Sequence, residues 1–103
     1  METRALNIGE FTAYQRLSDE MINATDFIDR WNISGYGPKR NVMDFLSEDE
    51  TKDFIYDLIS NEHGMTYKIE TDGEHETVWM HGMLFIYMCM WWLSPKMRLN
   101  ILK

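Results

Sequence analysis

The side chains best suited to chemistry are three histidines and one cysteine, and their spacing forms no recognised catalytic or metal motif. His75 and His81 lie six residues apart, whereas HExxH places its two histidines four apart on a helix. Cys89 is the single cysteine, which excludes an internal disulfide framework and a CxxC cage. The sequence also has no GxSxG and no glycine-rich phosphate loop. We therefore expect no enzyme, no metal and no cofactor.

A second group of polar side chains could contact nucleic acid. One cluster lies at the expected start of a helix, where backbone N–H groups also favour phosphate. The other gives one face of a predicted hairpin a cation, hydroxyls and a histidine. The candidates are Lys39, Arg40 and Asn41 in the loop, and Thr66, Lys68, His75 and Thr77 in the hairpin. On spacing alone, a solvated loop and an ordinary hairpin explain them more simply.

The charge of the chain is concentrated in one segment. The formal net charge is −7, which disfavours indiscriminate binding to nucleic acid or anionic membrane. Residues 41–64 hold one base and seven acids, whereas the rest of the chain is nearly neutral. Acids in a first helical turn are favoured by the helix dipole. The same acids could instead form a protein-binding face that mimics DNA: Glu48, Asp49, Glu50, Asp53 and Asp57.

Length and hydropathy indicate one soluble domain over residues 1–103. The 14% aromatic content and two prolines argue against disorder. The longest apolar run, Met83–Leu93, has eleven residues, whereas a membrane span needs roughly 20. We expect this run to form a core helix that is buried on every face. The alternative is that one side contacts a second copy of the chain. No targeting segment is evident, so we expect a cytoplasmic protein.

The N-terminal half should place strands before helices. Residues 4–22 alternate in polarity around a turn at Gly9-Glu10, which predicts strands. Asn23 is a good N-cap for a helix that ends near Asn32. The buried face of that helix is predicted from the helical spacing of Ala24, Phe27, Ile28 and Trp31.

Two further helices and a hairpin should follow. Asn41 can cap a short helix that buries Val42, Phe45 and Leu46. Ser47–Glu50 has the form of a capping box, and the helix it opens should end near Gly64 and bury Phe54, Ile55, Leu58 and Ile59. Asp72-Gly73 predicts a two-residue turn in which Thr71 faces Glu74.

The last predicted element is a helix capped by Ser94, with Pro95 at its first position. This helix is interrupted at Lys103, so we expect the domain to be cut short at its C-terminus. The element order gives an α+β fold: N-terminal strands, helix-turn-helix-like helices, a β-hairpin wing and a C-terminal buried helix.

Three motifs resemble those of the KilA-N domain family. Met21–Asp26 (MINATD) is similar to the family's "yINATxL", Val78–His81 (VWMH) to "TWVHP", and Trp92–Pro95 (WLSP) to "WLSPEF". Val42–Leu46 stands where the family has an aromatic-Leu pair. The motifs occur in the family's order, and the resemblance runs from about Tyr14 to Ile101.

The resemblance implies a fold like that of the fungal APSES DNA-binding domain, with helices and a β wing. It implies a bacteriophage or large-DNA-virus protein that binds double-stranded DNA as part of a transcriptional regulator or antirepressor. Because the candidate cations are few, we expect this binding to be weak and salt-sensitive. The loop and wing candidates then become DNA contacts, whereas Ile22, Ala24, Trp79, Leu93 and Pro95 become fold markers.

The chain departs from the family pattern at three places. Glu20 stands where glycine usually precedes the first motif, and Gly82 stands where proline follows the second. The segment Ser47–Glu50 is acidic where relatives are often basic. The rival hypothesis is therefore an acidic domain of the same fold that binds a host regulator or defence protein.

Overall fold

A computed structural model describes residues 2–60 and 65–93 of the chain. The described residues form an α+β fold, as predicted. Its strands are β1 (Thr3–Ile8), β2 (Phe11–Arg16), β3 (Ile22–Asn23), β4 (Tyr67–Asp72) and β5 (His75–Met80). Its helices are α1 (Ala24–Ser34), α2 (Val42–Ser47), α3 (Asp49–Ser60) and α4 (Gly82–Tyr87), the last continuing as a π-helical segment, Met88–Leu93.

The sheet consists of two antiparallel hairpins joined through the very short strand β3. The strand order is β1-β2-β3-β5-β4. Ile22 pairs with Gln15 of β2 on one side and with Met80 of β5 on the other. Where β3 ends, the Val78 backbone N–H donates to Thr25 Oγ1 at 2.8 Å. Thr25, at the start of α1, therefore supplies the hydrogen-bond acceptor that a longer β3 would have supplied.

Helix α1 forms the centre of the core, as its sequence predicts. The Asp26 backbone N–H donates to Asn23 Oδ1 at 2.9 Å, which confirms the N-cap. The helix ends at Ser34 and is capped by Gly35, whose φ of 69° is left-handed. The predicted apolar face is fully buried: Ala24, Phe27, Ile28 and Trp31. It packs against β2 and β5.

The structure contains the predicted hairpin, but the register predicted for it is wrong by two residues. Asp72 pairs with His75, so the turn is Gly73-Glu74 and not Asp72-Gly73. Gly73 has φ 64°, and glycine at the first central position is typical of a type II′ turn. Because side chains alternate with a period of two, an even shift leaves each predicted face intact. Val78 and Met80 still face the core.

The junction of α2 and α3 also differs from the prediction. Asn41 caps α2 as expected, with Met43 N–H donating to Asn41 Oδ1 at 2.8 Å. Ser47, however, is the last residue of α2, and its hydroxyl donates to the Asp44 carbonyl. The predicted capping box therefore does not form, and α3 begins at Asp49.

The buried face of α3 is narrower than predicted. Leu58 is buried, Phe54 and Ile55 are half-buried, and Ile59 is exposed. Thr51, which the apolar pattern did not include, is buried instead. The predicted helix end near Gly64 lies outside the described residues.

The C-terminal apolar run is helical but is not covered on every side. Its buried side chains are Leu84, Phe85, Met88, Cys89 and Leu93. Met83, Ile86 and Trp91 are exposed, so the expectation of burial on every face is wrong. The helix predicted from Ser94 lies outside the described residues. Among the residues that the structure describes, none of the helices has the length and apolar character to cross a membrane.

Candidate nucleic-acid interface

The loop between α1 and α2 is held against the end of α1. The Trp31 indole Nε1–H donates to the Pro38 carbonyl at 2.9 Å. Gly37 lies so close to the same indole that a Cβ at this position would collide with it. The breaker residues that end α1 therefore also allow the loop to approach Trp31.

The side chain of Asn32 fixes the backbone of Arg40 from both sides. The Arg40 N–H donates to Asn32 Oδ1, and Asn32 Nδ2 donates to the Arg40 carbonyl, each at 2.8 Å. These two hydrogen bonds have the same reciprocal pattern as those between two residues paired across neighbouring β-strands. It positions Lys39 and Asn41, which flank Arg40.

The three loop candidates present different groups to solvent. Lys39 is exposed and forms no ion pair with any described residue. Arg40 is half-buried, with its guanidinium carbon 5.0 Å from the centre of the Trp92 ring. Asn41 is exposed and uses its Oδ1 to cap α2, which leaves its amide N–H₂ as a donor. The structure thus brings these candidates together, with Lys39 the most accessible cation.

A polar cavity of about 280 Å³ connects this loop with the hairpin. Arg40, Asn41 and Met43 line it on one side, and Asp29 lines it from α1. Glu76 and Val78 line it from β5. The core-facing side of the hairpin therefore lies beside the loop.

The hairpin candidates lie on the other face of the hairpin. Side chains alternate between the two faces of a strand. Lys68, His75 and Thr77 lie on the face opposite to Glu76 and Val78, so they point away from the cavity. The structure does not bring these three together with the loop cluster on one face. The Lys68 ammonium also lies 3.8 Å from the Glu70 carboxylate, which partly offsets its charge.

Thr66 does not present its side chain at the surface. It is only 4% exposed, and its carbonyl accepts a hydrogen bond from the His81 N–H at 2.7 Å. It precedes β4 and helps to close the base of the hairpin.

A charge cluster beside Lys68 was not predicted. Arg16 is 4% exposed and stacks on Trp79, with its guanidinium carbon 4.3 Å from the ring centre. It donates to both carboxylate oxygens of Asp19 and, at 2.7 Å, to Glu70. These hydrogen bonds from Arg16 are the main reason that the pKa values of both carboxyl groups are lowered. The cluster joins residues 54 positions apart, so no local pattern indicates it.

The acidic candidates form an exposed surface at the start of α3. Glu48, Asp49, Glu50, Asp53 and Asp57 are all exposed. The negative charge of Glu50 and Asp53 also reaches Tyr87, whose pKa is raised first by burial and then by these two carboxylates. The acidic surface therefore adjoins Tyr87, which packs against Phe45 together with Trp92, the ring that faces the Arg40 guanidinium.

Within the described ranges, His, Cys, Asp and Glu side chains form no group of three that could hold a metal ion. Cys89 is buried, and this burial raises the pKa of its thiol. A neutral thiol is a poor nucleophile, so its place in the core agrees with a packing role.

The family model of the KilA-N domain matches residues 6–103. The chain belongs to the KilA-N family. Domains of this family are generally DNA-binding and are not typically enzymatic. Neither a curated protein nor a solved structure matches the chain.

The KilA-N motifs lie where they hold the fold together. Ile22 and Ala24 of the first motif are buried at the seam between the two hairpins. Trp79 of the second motif lies under Arg16, and His81 caps α4 by accepting from the Met83 N–H at 3.1 Å. Leu93 of the third motif is buried, whereas Pro95 lies outside the described residues.

Proposed function

We propose that this chain is a non-enzymatic domain that binds double-stranded DNA within a viral or prophage transcriptional regulator or antirepressor. It would act in the cytoplasm of the host cell. The observation that carries the proposal is the KilA-N match over residues 6–103, nearly the whole chain. The rigidly held, exposed loop at Lys39–Asn41 supplies a surface for the contact.

In this proposal, the loop makes the principal contacts with DNA. Lys39 pairs with a phosphate, and Arg40 supports it with the part of its guanidinium that reaches solvent. The free amide N–H₂ of Asn41 donates to a phosphate or a base edge. Lys68, His75 and Thr77 face elsewhere and serve a separate backbone contact. Thr66 is left out because it is buried.

The test is a salt titration of binding to random and selected duplexes. Because few cations are available, we expect weak binding with a salt slope on the order of three or four phosphates' worth. Lys39→Gln should reduce the slope by about 0.9, the contribution of one phosphate. Lys52→Gln is the matched control, since it removes the same charge from the acidic helix α3, makes no phosphate contact and should leave the salt slope unchanged. Absence of binding to any duplex at low salt would overturn the proposal.

A second candidate function is protein binding through the acidic surface, in which the chain mimics DNA toward a host regulator or defence protein. Its support is that Glu48, Asp49, Glu50 and Asp53 are exposed and form no ion pairs with described residues. This function predicts that the chain does not bind DNA. It also predicts that the chain loses its protein partner when Asp49, Glu50 and Asp53 are replaced by lysine. A partner that stays bound to this variant would exclude the idea.

A homodimer through the C-terminal helix is a third candidate. Its support is the exposure of three apolar side chains on one helix: Met83, Ile86 and Trp91. Sedimentation at several concentrations is the test. A mass that stays monomeric at every concentration rules this assembly out.

A further inference from the structure

Strand β4 lies at one end of the sheet and leaves one of its sides open. The strand order ends at β4, and among the described residues no strand pairs with its outer side. The strand has six residues, Tyr67–Asp72, and it contains no proline and no bulge in its pairing with β5. A regular, unblocked edge of this kind is a template on which another strand can pair.

The hydrogen bond at the base of the hairpin shows which backbone groups of β4 point outward. The His81 N–H donates to the Thr66 carbonyl at 2.7 Å, and these two residues continue the β4–β5 register by one step. Hydrogen-bonded pairs alternate along an antiparallel ladder, so every second residue from Thr66 onward directs its N–H and C=O toward β5. The N–H and C=O groups of Tyr67, Ile69 and Thr71 therefore point toward the open side.

Charge selects one register for the pairing of β4 with β4 of a second copy. In an antiparallel pair centred on Ile69, Lys68 of each chain faces Glu70 of the other. Centring the pair on Lys68 or on Glu70 would set like charges opposite each other, which is destabilising. A shift by one residue would set outward-pointing groups against inward-pointing ones, and the ladder would be lost. The charges of β4 are therefore complementary to themselves about Ile69.

The side chains of β4 suit the same register. Ile69 is 41% exposed, although Val78, which faces it across the hairpin, is buried. Pairing with a second copy would set the two Ile69 side chains directly opposite each other and cover part of this apolar surface. Lys68 and Glu70 would form the non-hydrogen-bonded pairs of the new ladder, in which opposite side chains come closest.

We propose that β4 is the interface of a homodimer, in which the five-stranded sheets of two copies join antiparallel through this strand. Only six residues of each chain pair, so the interface is small and the association is weak. The dimer uses neither the loop Lys39–Asn41 nor the C-terminal helix, which makes it distinct from the loop contact with DNA and from the helical dimer. It does use Lys68, so DNA bound at the hairpin competes with the dimer.

The experiment is a concentration series of the ¹⁵N-labelled protein without DNA, up to roughly 1 mM, where weak association is still measurable. The backbone amide signals of Tyr67, Ile69 and Thr71 should shift saturably, and their exchange with solvent should slow as the concentration rises. The outward amides of β1, at the other end of the sheet, are the internal control and should stay unchanged. Sedimentation equilibrium over the same series should show a mass that rises toward that of a dimer.

Two variants test the register and the edge separately. Lys68→Glu should weaken the dimer on the order of tenfold, because an attractive pair becomes a repulsive one at two symmetry-related positions. Lys52→Glu makes the same charge change on α3 and should have little effect. Ile69→Pro should abolish the dimer, because it removes an outward N–H and blocks the open side. Proline is tolerated on an edge strand when its N–H side faces solvent, so the hairpin should still fold.

Three results would overturn the proposal. The first is a mass that stays monomeric at every concentration, and the second is a dimer of the same affinity in Lys68→Glu and Lys52→Glu. The third is a set of concentration-dependent shifts at β1 or at the exposed Ile86 of the C-terminal helix, with none at β4. All measurements are made without DNA, so a failure of duplex binding leaves this interface unaffected and the two proposals fail separately.

Discussion

Arg16 shows how one buried cation can connect distant parts of a small sheet. Its guanidinium is stacked on Trp79 and bonded to Asp19 and Glu70, so it ties β2 to β4 across the intervening strands. Burying such a charge is costly unless its donors are satisfied, and here two carboxylates satisfy them.

Replacing Arg16 by methionine should therefore destabilise the protein by about 1–3 kcal/mol, because Asp19 and Glu70 lose their main partner. Urea unfolding is the measurement. Arg30→Met is the control, since Arg30 forms an exposed pair with Asp26 that should contribute less than about 1 kcal/mol. Equal losses in the two variants would contradict the role of Arg16.

The same cluster predicts how stability depends on pH. The pKa values of Asp19 and Glu70 are lowered in the folded state by hydrogen bonds from Arg16. The unfolded chain therefore binds protons first on acidification, and stability falls as the pH drops through the ordinary carboxyl range toward the lowered values. Glu70→Gln should flatten this acid limb when unfolding free energies are measured across the pH series. An unchanged acid limb would show that other carboxylates dominate.

Glu20 occupies a backbone conformation that suits glycine. Its φ of 63° is left-handed, and it stands where the KilA-N pattern usually has glycine. Glu20→Gly should therefore stabilise the fold by about 0.5–1 kcal/mol, the relief of left-handed strain less the entropy that glycine loses on folding. Glu10→Gly is the control, because Glu10 lies in a turn without a positive φ. A destabilised Glu20→Gly variant would refute the explanation.

At the scale of elements, features that local chemistry decides could be predicted. The Asn23 cap and the spacing of Ala24 to Trp31 define α1 without help from distant residues. The turn of the second hairpin could not be predicted, because Asp72-Gly73 and Gly73-Glu74 are both acceptable turns. Ser47 likewise has two competing positions, as the end of α2 and as the cap of α3, and packing around Phe45 and Leu46 favours the first.

The loop before α2 should depend on Asn32. Asn32→Ala removes both hydrogen bonds to the Arg40 backbone and should cost about 1–2 kcal/mol of stability. Because no cation is lost, duplex affinity should fall without a change in the salt slope. Asn7→Ala, on the exposed side of β1, should change neither quantity. A reduced slope in Asn32→Ala would show that the loop is not simply positioned by this side chain.

At the scale of the whole molecule, the site was only partly predictable. The loop cluster is predictable because its three residues are adjacent in sequence. The separation of this cluster from Lys68 could not be predicted, since it follows from how the second hairpin packs against α1. A cavity lined by Arg40, Glu50 and Trp92 combines residues from the loop, α3 and the C-terminal helix, and no short motif contains them.

The acidic surface should weaken duplex binding through long-range repulsion. Replacing Asp49, Asp53 and Asp57 by asparagine should strengthen binding several-fold at low salt, because three negative charges are removed. The gain should disappear at high salt, where such interactions are screened. A gain that persists at high salt would indicate a direct contact instead. Glu2→Gln, at the residue before β1, is a single-charge control.

The two-residue strand β3 also sets the order in which the fold can be completed. The first hairpin needs only residues 3–16, but β3 finds its partner β5 more than 50 residues later. A chain emerging from the ribosome therefore carries an open strand edge and an incompletely covered α1 until residues 75–80 have also emerged. A chaperone that shields this edge would act before β5 appears.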